Sequence, residues 1–276
     1  MHNPFTAAIE AIRVVDVHVF AFLNRFAGNW FVDHLASFEE GNNLLKGGIL
    51  LCFYASSWFG AEQTREDNRR TIVTIFTGTF IALLFSRVIA DLAPFRVRPM
   101  FQPGLLQHPF AFPVSHNMES WSSFPSDTAA YFSALVFGLW KLTRRYSVLL
   151  ALYTAVWICL PRMFLGEHYL SDIVVGAAIG IASVAASLKF DLVRSKFASQ
   201  VLALSNSKPG LFYAATFLIC FEMAVLFDDL RLAARAIFLV ASRHQHSNGL
   251  LMLSVLLLGA VIVVGTVVRT SLHHAT

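Results

Sequence analysis

The feature that most constrains the fold is a series of long apolar blocks with few charges, separated by short basic segments. A helix needs about twenty mainly apolar residues to cross a bilayer. A chain of 276 residues that is 56% hydrophobic and only 14% charged is too apolar for a soluble protein of this size. The blocks also lack the alternating pattern of a transmembrane barrel. The sequence therefore predicts an all-α, polytopic transmembrane helical bundle.

Seven blocks are predicted to span the membrane, five in a core and two in a C-terminal tail. In chain order they cover residues 44–59, 71–90, 128–142, 146–165, 169–188, 211–227 and 250–268. An earlier block, residues 7–26, carries Glu10 and Asp16 among its apolar residues. This pattern favours a helix lying in the membrane interface over a cleavable leader or a span.

The blocks divide the chain into three predicted regions. Residues 1–43 form an amphipathic interfacial segment, residues 44–190 a transmembrane core, and residues 191–276 a C-terminal extension with the two tail spans. Within the first region, Glu39 and Glu40 are interpreted as part of an interfacial turn before the first span.

The basic residues between the blocks predict the orientation of the bundle. Three basic clusters, residues 65–70, 141–145 and 189–196, fall on one side of the predicted core. The opposite connections, residues 94–125 and 162–168, contain only three arginines and no lysine. Because cytoplasmic loops are enriched in Lys and Arg, the clusters are predicted to face the cytoplasm and the two connections the outside.

Neither the net charge nor the cysteines indicate another class of protein. The net charge of +4 comes from the short loop clusters, which are typical of a membrane protein, so no nucleic-acid partner is expected. Cys52, Cys159 and Cys220 lie inside apolar blocks, where free thiols pack as small hydrophobic groups. Membrane lipids are the expected surroundings of the chain.

The segment PRMFLGEHYLSD, residues 161–172, concentrates groups with chemical potential. Asp172 follows His168 by four positions, so on a helix that starts near His168 the carboxylate can accept a hydrogen bond from one imidazole nitrogen. The other nitrogen is then unprotonated and able to attack as a nucleophile. An ordinary capped helix start explains the same spacing equally well.

Two further segments lie at predicted outer ends of helices. In FPSD, Ser126 is a natural N-cap whose helix turn offers free amides to an anion, although a cap without a ligand also explains it and Asp127 favours that interpretation. In FRVRPM, Pro99 holds Arg98 extended, and a guanidinium presents a fork suited to two phosphate oxygens. Anchoring to lipid headgroups is the alternative for Arg96 and Arg98.

Together, the order and sidedness of these segments resemble the type 2 phosphatidic acid phosphatase superfamily, whose signatures read Lys-x6-Arg-Pro, Pro-Ser-Gly-His and Ser-Arg-x5-His-x3-Asp. The resemblance covers residues 61–188. It implies that His168 is a nucleophile that forms a phosphohistidine, that Asp172 orients it, and that the reaction needs no metal and no cofactor. The implied phosphate-binding residues are Arg98, Arg162 and Ser126, and the sequence offers Arg96 as a further candidate.

The sequence departs from the signatures at the lysine of the first one and at the histidine of the second one. Asp91 stands where the family has a lysine, so a substitute cation is expected from Arg96 or from Arg87, which lies one helical turn before Asp91. Thr128 stands where the family has its second histidine and cannot protonate a leaving alkoxide near neutral pH. A milder departure is Pro161, in place of the serine before the signature arginine.

Two loop histidines, His116 and His108, are candidates for a displaced acid. A diphosphate substrate lessens the need for one, because its leaving phosphate is already a stable anion. The resemblance is strongest to the bacterial branch that acts on undecaprenyl diphosphate and related lipid phosphates.

The function expected from the sequence is therefore that of an integral membrane lipid phosphatase. Its expected substrate is a polyprenyl (undecaprenyl) diphosphate or related lipid phosphate, cleaved through a phosphohistidine. One alternative is a phosphotransferase of the same fold with a hydroxyl acceptor. Another is a catalytically silent protein that binds or transports lipid phosphates, which Asp91 and Thr128 suggest. The expected location is the bacterial cytoplasmic membrane, with the active site facing the periplasm or cell exterior.

Overall fold

The computed structural model of the chain describes residues 4–111, 119–225 and 233. Every regular element in these residues is helical, which confirms the all-α prediction. The helices are α1 (Pro4–Asn24), α2 (Trp30–Gly41), α3 (Ile49–Trp58), α4 (Glu62–Leu92), α5 (Asp127–Leu142), α6 (Arg144–Phe164), α7 (Leu170–Lys189), α8 (Ala198–Ser207) and α9 (Pro209–Ala224). π-helical turns precede α3 at Leu44–Gly48, lie within α6 at Thr154–Cys159 and precede α8 at Leu192–Phe197.

Residues Met1–Gln200 form one compact unit, and a second unit begins at Val201. The core of the first unit is made by α4, α5 and α7. Helix α5 is the most enclosed of the three, since Tyr131, Phe132 and Leu135 are fully buried.

Small residues allow α5 and α7 to approach closely. A Cβ atom added to Gly176 would lie 2.2 Å from the carbonyl oxygen of Ser126, and one added to Gly180 would lie 2.1 Å from that of Ala130. Helices in lipid pack through such contacts, because burying apolar surface from lipid gives little driving force. The two glycines therefore determine the spacing between the helix that begins beside Ser126 and the helix that follows His168.

All five predicted core blocks correspond to helices. Three helices, α4, α6 and α7, are long and apolar enough to cross a membrane. The apolar stretches Leu44–Trp58 and Pro209–Ala224 are shorter. A crossing by α3 or α5 stays a prediction, and the last predicted span, residues 250–268, lies outside the described residues.

The predicted interfacial turn around Glu39 and Glu40 is wrong. Both residues belong to α2, whose first turn is capped by the side chain of Asn29, which accepts hydrogen bonds from the N–H groups of Phe31 and Val32. Glu39 is only 1% exposed. The cap at Asn29 was the available sequence signal for this helix.

The N-terminal helices hold the long connection between α4 and α5. The side chain of Asn24 accepts hydrogen bonds from the N–H groups of Gln107 and His108, both at 2.9 Å, and donates one to the His108 carbonyl at 3.0 Å. Asp33 accepts the N–H of Ala111 at 2.6 Å. This part of the loop is therefore ordered by α1 and α2.

Candidate active site

A small pocket lies where the end of α4, the loop after it, the start of α5 and the loop before α7 come together. Its lining residues are Ser86, Arg87, Ala90, Arg98, Ser122, Pro125, Asp127 and His168. The basic clusters at residues 65–70, 141–145 and 189–196 belong to the opposite ends of these helices. Arg98 and His168 thus share one end of the bundle, as the sequence predicted.

His168 is held as a neutral imidazole. Its ring is buried, and Nδ1 lies 2.8 Å from the carbonyl oxygen of Ser123. Because a carbonyl oxygen only accepts hydrogen bonds, Nδ1 must carry the proton, and the lone pair is left on Nε2. Burial, reinforced by the nearby positive charge of Arg98, lowers the pKa of His168 to about 4. The imidazole is therefore uncharged at neutral pH and able to act as a nucleophile.

The predicted hydrogen bond between His168 and Asp172 is not formed. Asp172 accepts the Tyr169 N–H at 2.8 Å and the Arg96 Nη1 at 2.5 Å. The helix begins at Leu170, so His168 precedes it and the one-turn spacing does not apply. Asp172 caps the helix instead, where the N-terminal amides favour a carboxylate.

The prediction that Arg96 binds phosphate disagrees with its position. Besides Asp172, its guanidinium bonds the carboxylate of Asp16 at 2.6 Å and the hydroxyl of Ser171 at 2.8 Å, and it lies 4.2 Å from the ring centroid of Tyr169. Arg96 does not line the pocket. Its charge is taken up by two carboxylates, so it joins α1 to the start of α7.

The role of Asp16 does not follow from the sequence. Its side chain is 1% exposed and also accepts the N–H of Ser171 at 2.9 Å. The apolar neighbours of Asp16 on α1 indicated an interfacial helix, but a buried charge requires a partner of opposite sign. The partner lies 80 positions away in the sequence.

Arg162 is also paired away from the pocket. Its Nη1 lies 2.5 Å from Oε2 of Glu167, and both side chains are largely buried. Burial alone would raise the pKa of Glu167, but the positive charge of Arg162 outweighs it and lowers that pKa to about 2. Helix α2 brings Glu39 close to the same group, and burial raises the pKa of Glu39 to about 7. Arg162 thus neutralises buried carboxylates and is not among the pocket-lining residues.

The loop between Arg162 and His168 turns at Gly166, whose φ is +74°. Its carbonyl accepts the N–H of Met100 at 3.0 Å, and a Cβ atom there would lie 2.9 Å from the backbone of Met100. Only glycine fits this turn without strain. The turn therefore joins the loop before His168 to the segment that follows Arg98.

Two arginines do line the pocket. Arg98 is buried; its Nη1 donates to the Glu167 carbonyl at 2.9 Å and its Nε to the Trp121 carbonyl at 3.3 Å. Arg87 lies 4.7 Å from the ring centroid of Trp121, and its Nη2 is 2.6 Å from Oδ2 of Asp127. Of the two substitute cations suggested by the sequence, Arg87 lies in the pocket and Arg96 does not.

The residues of the second signature serve mainly to begin α5. Ser126 is fully buried, and its hydroxyl accepts the Ala129 N–H at 3.2 Å, which confirms the predicted N-cap. Neither Ser126 nor Thr128 lines the pocket, whereas Asp127 between them does. The predicted contribution of Ser126 to a phosphate cradle therefore disagrees with the geometry.

One polar group in the pocket has no partner. The hydroxyl of Ser86 is buried and makes no hydrogen bond within the described part of the chain. Ser86 and Arg87 are adjacent on α4, and both line the pocket. An unpaired buried hydroxyl is costly, so a ligand that accepts its hydrogen bond is favoured here.

Of the two displaced acids suggested by the sequence, His108 is not in the pocket lining. His108 is exposed and contributes only its backbone to the contact with Asn24. His116 lies outside the described residues. Among residues 4–111 and 119–225, no cluster of His, Cys, Asp and Glu is arranged to hold a metal ion.

The fold and the pocket define a helical membrane protein with a buried, neutral histidine beside two arginines, an arrangement suited to phosphate groups. Residues 71–196 of the chain match the family model of the PAP2 superfamily.

Among curated proteins, the chain is similar to lipid phosphatases. It is 27% identical over 153 residues to a lipid A 1-phosphatase of Rhizobium johnstonii, a match that covers 53% of this chain and 61% of the relative. It is 26% identical over 153 residues to a lipid A 1-phosphatase of Rhizobium etli, covering 53% and 64%. It is 29% identical over 86 residues to phosphatidylglycerophosphatase B of Bacillus subtilis, covering 31% and 41%.

The chain therefore spans less than two thirds of the length of each of these relatives. No solved structure matches it.

Proposed function

We propose that the protein is a membrane lipid phosphatase that transfers a phosphate group from a lipid to His168 and then to water, without a metal or cofactor. The observation that carries this proposal is the uncharged imidazole of His168, with Nε2 unprotonated, in one pocket with Arg87 and Arg98. A neutral nucleophile and two guanidinium groups are the components that phosphoryl transfer requires.

Each component has a separate task. The Ser123 carbonyl fixes the tautomer and orientation of His168. The guanidinium groups of Arg87 and Arg98 stabilise the charge on the equatorial oxygens of the transferred phosphate. The hydroxyl of Ser86 donates a further hydrogen bond to one of these oxygens. Arg162 and Asp172 act indirectly, since they hold the turn before His168 and the start of α7.

The surroundings of the pocket favour an amphiphilic substrate. Helix α4 carries Arg87 and also exposes apolar side chains near it, including Leu84, Phe85 and Val88. A lipid tail can lie along this apolar surface while its phosphate enters the pocket. The relatives named lipid A 1-phosphatase and phosphatidylglycerophosphatase B support a phosphorylated lipid as the substrate class.

Within this class we favour a polyprenyl diphosphate, such as undecaprenyl diphosphate. Thr128 stands where the family has an acid, and the leaving group of a diphosphate is a phosphate anion that needs no proton. The basic clusters at the opposite ends of the helices support a location of the pocket at the periplasmic or outer face of the bacterial cytoplasmic membrane.

The test is a panel of detergent-solubilised undecaprenyl diphosphate, phosphatidylglycerophosphate and lipid A 1-phosphate, assayed for phosphate release with chelator present. The parent protein is compared with His168→Ala and with the control His18→Ala, since His18 is exposed and bonds only the Val14 carbonyl of its own helix. We expect phosphate release from at least one lipid, its loss in His168→Ala and its retention in the control.

Three outcomes would contradict the proposal. Equal release by His168→Ala would exclude the histidine nucleophile, and dependence on added metal would contradict the proposed chemistry. Release only when a hydroxyl acceptor is added would identify a phosphotransferase instead of a phosphatase.

A further inference from the structure

Asp127 is the only carboxylate among the pocket-lining residues that the structure describes. Its side chain is 25% exposed. Oδ2 lies 2.6 Å from Arg87 Nη2, and Oδ1 accepts the Thr128 N–H at 2.9 Å. A guanidinium and the first turn of a helix both favour a negative charge. Asp127 is therefore a carboxylate that accepts hydrogen bonds in the same pocket as His168.

Hydrolysis of a phosphohistidine is accelerated by such an acceptor. The attacking water loses a proton, and a positioned base speeds this step. The two arginines in the pocket lining are unable to accept this proton, because Arg87 and Arg98 are always protonated. In the phosphoenzyme His168 carries the phosphate on Nε2 and its proton on Nδ1, which the Ser123 carbonyl holds.

We propose that Asp127 is the general base that activates water for hydrolysis of the phosphohistidine at His168. This role rests on the proposed function, because without a phosphoenzyme there is no such step. It differs from the role of the acid that Thr128 replaces. That acid would act on the leaving group in the first half-reaction, whereas Asp127 acts on water in the second.

The reaction consists of the formation and the hydrolysis of the phosphohistidine. The Nε2 lone pair forms a bond to phosphorus while the bond from phosphorus to the bridging oxygen breaks, and the electron pair leaves on the lipid product. A water oxygen then bonds to phosphorus, the phosphorus–nitrogen bond breaks, and its electron pair returns to Nε2. The water proton passes to Asp127, which releases it to solvent through its exposed side as inorganic phosphate departs.

The decisive variant is Asp127→Asn. Asparagine preserves the shape of the side chain and the Oδ1 acceptor for the Thr128 N–H, but it is not a base. The probe is undecaprenyl diphosphate with a radiolabelled terminal phosphate, mixed with detergent-solubilised protein and quenched at successive times. We expect a burst of about one equivalent of lipid product, label retained on His168, and steady turnover slower by about 100-fold or more.

Matched variants separate this role from a structural one. Asp191→Asn removes an exposed carboxylate beyond the opposite end of α7 and should keep the kinetics of the parent. Asp127→Glu retains a base and should restore part of the turnover without accumulating label. Melting temperatures of all variants in detergent show whether each is folded, and Asp127→Glu supplies the comparison if the asparagine variant is unstable.

Two results would overturn the role of Asp127: parent turnover in Asp127→Asn, or a loss of the burst together with the turnover, which indicates a defect before phosphoenzyme formation. A failure of the proposed function looks different. In that case the parent protein itself forms no His168-dependent phosphoenzyme, and His168→Ala retains activity.

Discussion

Gly176 offers a direct test of the helix spacing on which the pocket depends. A Cβ atom at this position would lie 2.2 Å from the carbonyl oxygen of Ser126, whereas ordinary contact begins at 3.4 Å. In Gly176→Ala the new Cβ atom would therefore lie 3.4 − 2.2 = 1.2 Å too close to this oxygen. The opposing atom belongs to the backbone and cannot rotate away, so α5 and α7 must move apart by about this distance.

The displacement has two expected consequences. Overpacking of this kind lowers the free energy of unfolding by about 1–3 kcal/mol. The start of α5 also carries Asp127, and the loop into α7 carries His168, so the shift alters the relative position of two pocket residues. A misplacement of about 1 Å reduces the rate by about 100-fold.

The measurements are the melting temperature in detergent and the initial rate of phosphate release from the best lipid of the panel. The matched control is Gly41→Ala, because a Cβ atom at Gly41 would meet nothing within 4 Å. If Gly176→Ala melts and turns over like the parent, the close approach of α5 and α7 at Ser126 does not exist, and the geometry of the pocket must be revised.

Four further predictions concern charge. The depressed pKa of His168, about 4, keeps the imidazole neutral, so the acid limb of kcat/KM should lie near pH 4; a limb near 6.5, the ordinary value, would contradict burial of the ring. The free energy of unfolding should also fall as the pH drops from 6.5 toward 4, because His168 takes up a proton in the unfolded chain that it excludes in the folded one. Glu167→Gln leaves buried Arg162 without its charge partner and should lower the free energy of unfolding by about 3–5 kcal/mol, measured by denaturation in detergent. Its control, Glu66→Gln, breaks the exposed pair with Arg70 and should cost less than about 1 kcal/mol. Arg87→Ala should raise KM for the lipid phosphate at little cost in melting temperature, whereas Arg96→Ala should chiefly lower the melting temperature; the reverse pattern would assign phosphate binding to Arg96.

The helices were predictable because each depends on residues close together in the sequence. The apolar blocks at 71–90, 146–165 and 169–188 predicted three long helices, and the Ser126 N-cap predicted the start of α5. Helix α2 was missed because its short, mixed sequence has no continuous apolar block. The sequence also predicted that Arg98 and His168 lie at the same end of the bundle. The helices alternate in direction, so the two connections that contain these residues fall on one side.

The contacts of each charged group were not predictable, and these contacts define the pocket. His168 is oriented by Ser123, 45 positions away, instead of by Asp172. Which arginines line the pocket depends on carboxylates from other elements: Asp16 engages Arg96 and Glu167 engages Arg162 away from the pocket. Arg87 pairs instead with Asp127, which itself lines the pocket.

The sequence by itself thus determined that this chain forms a membrane helical bundle and which end of it carries His168. Hydrophobic periodicity and helix caps are local, and they act wherever their residues occur. Only the tertiary structure decided which charged groups pair away from the pocket and which line it, because a buried ion must find its partner in space, and the partner can come from any part of the chain.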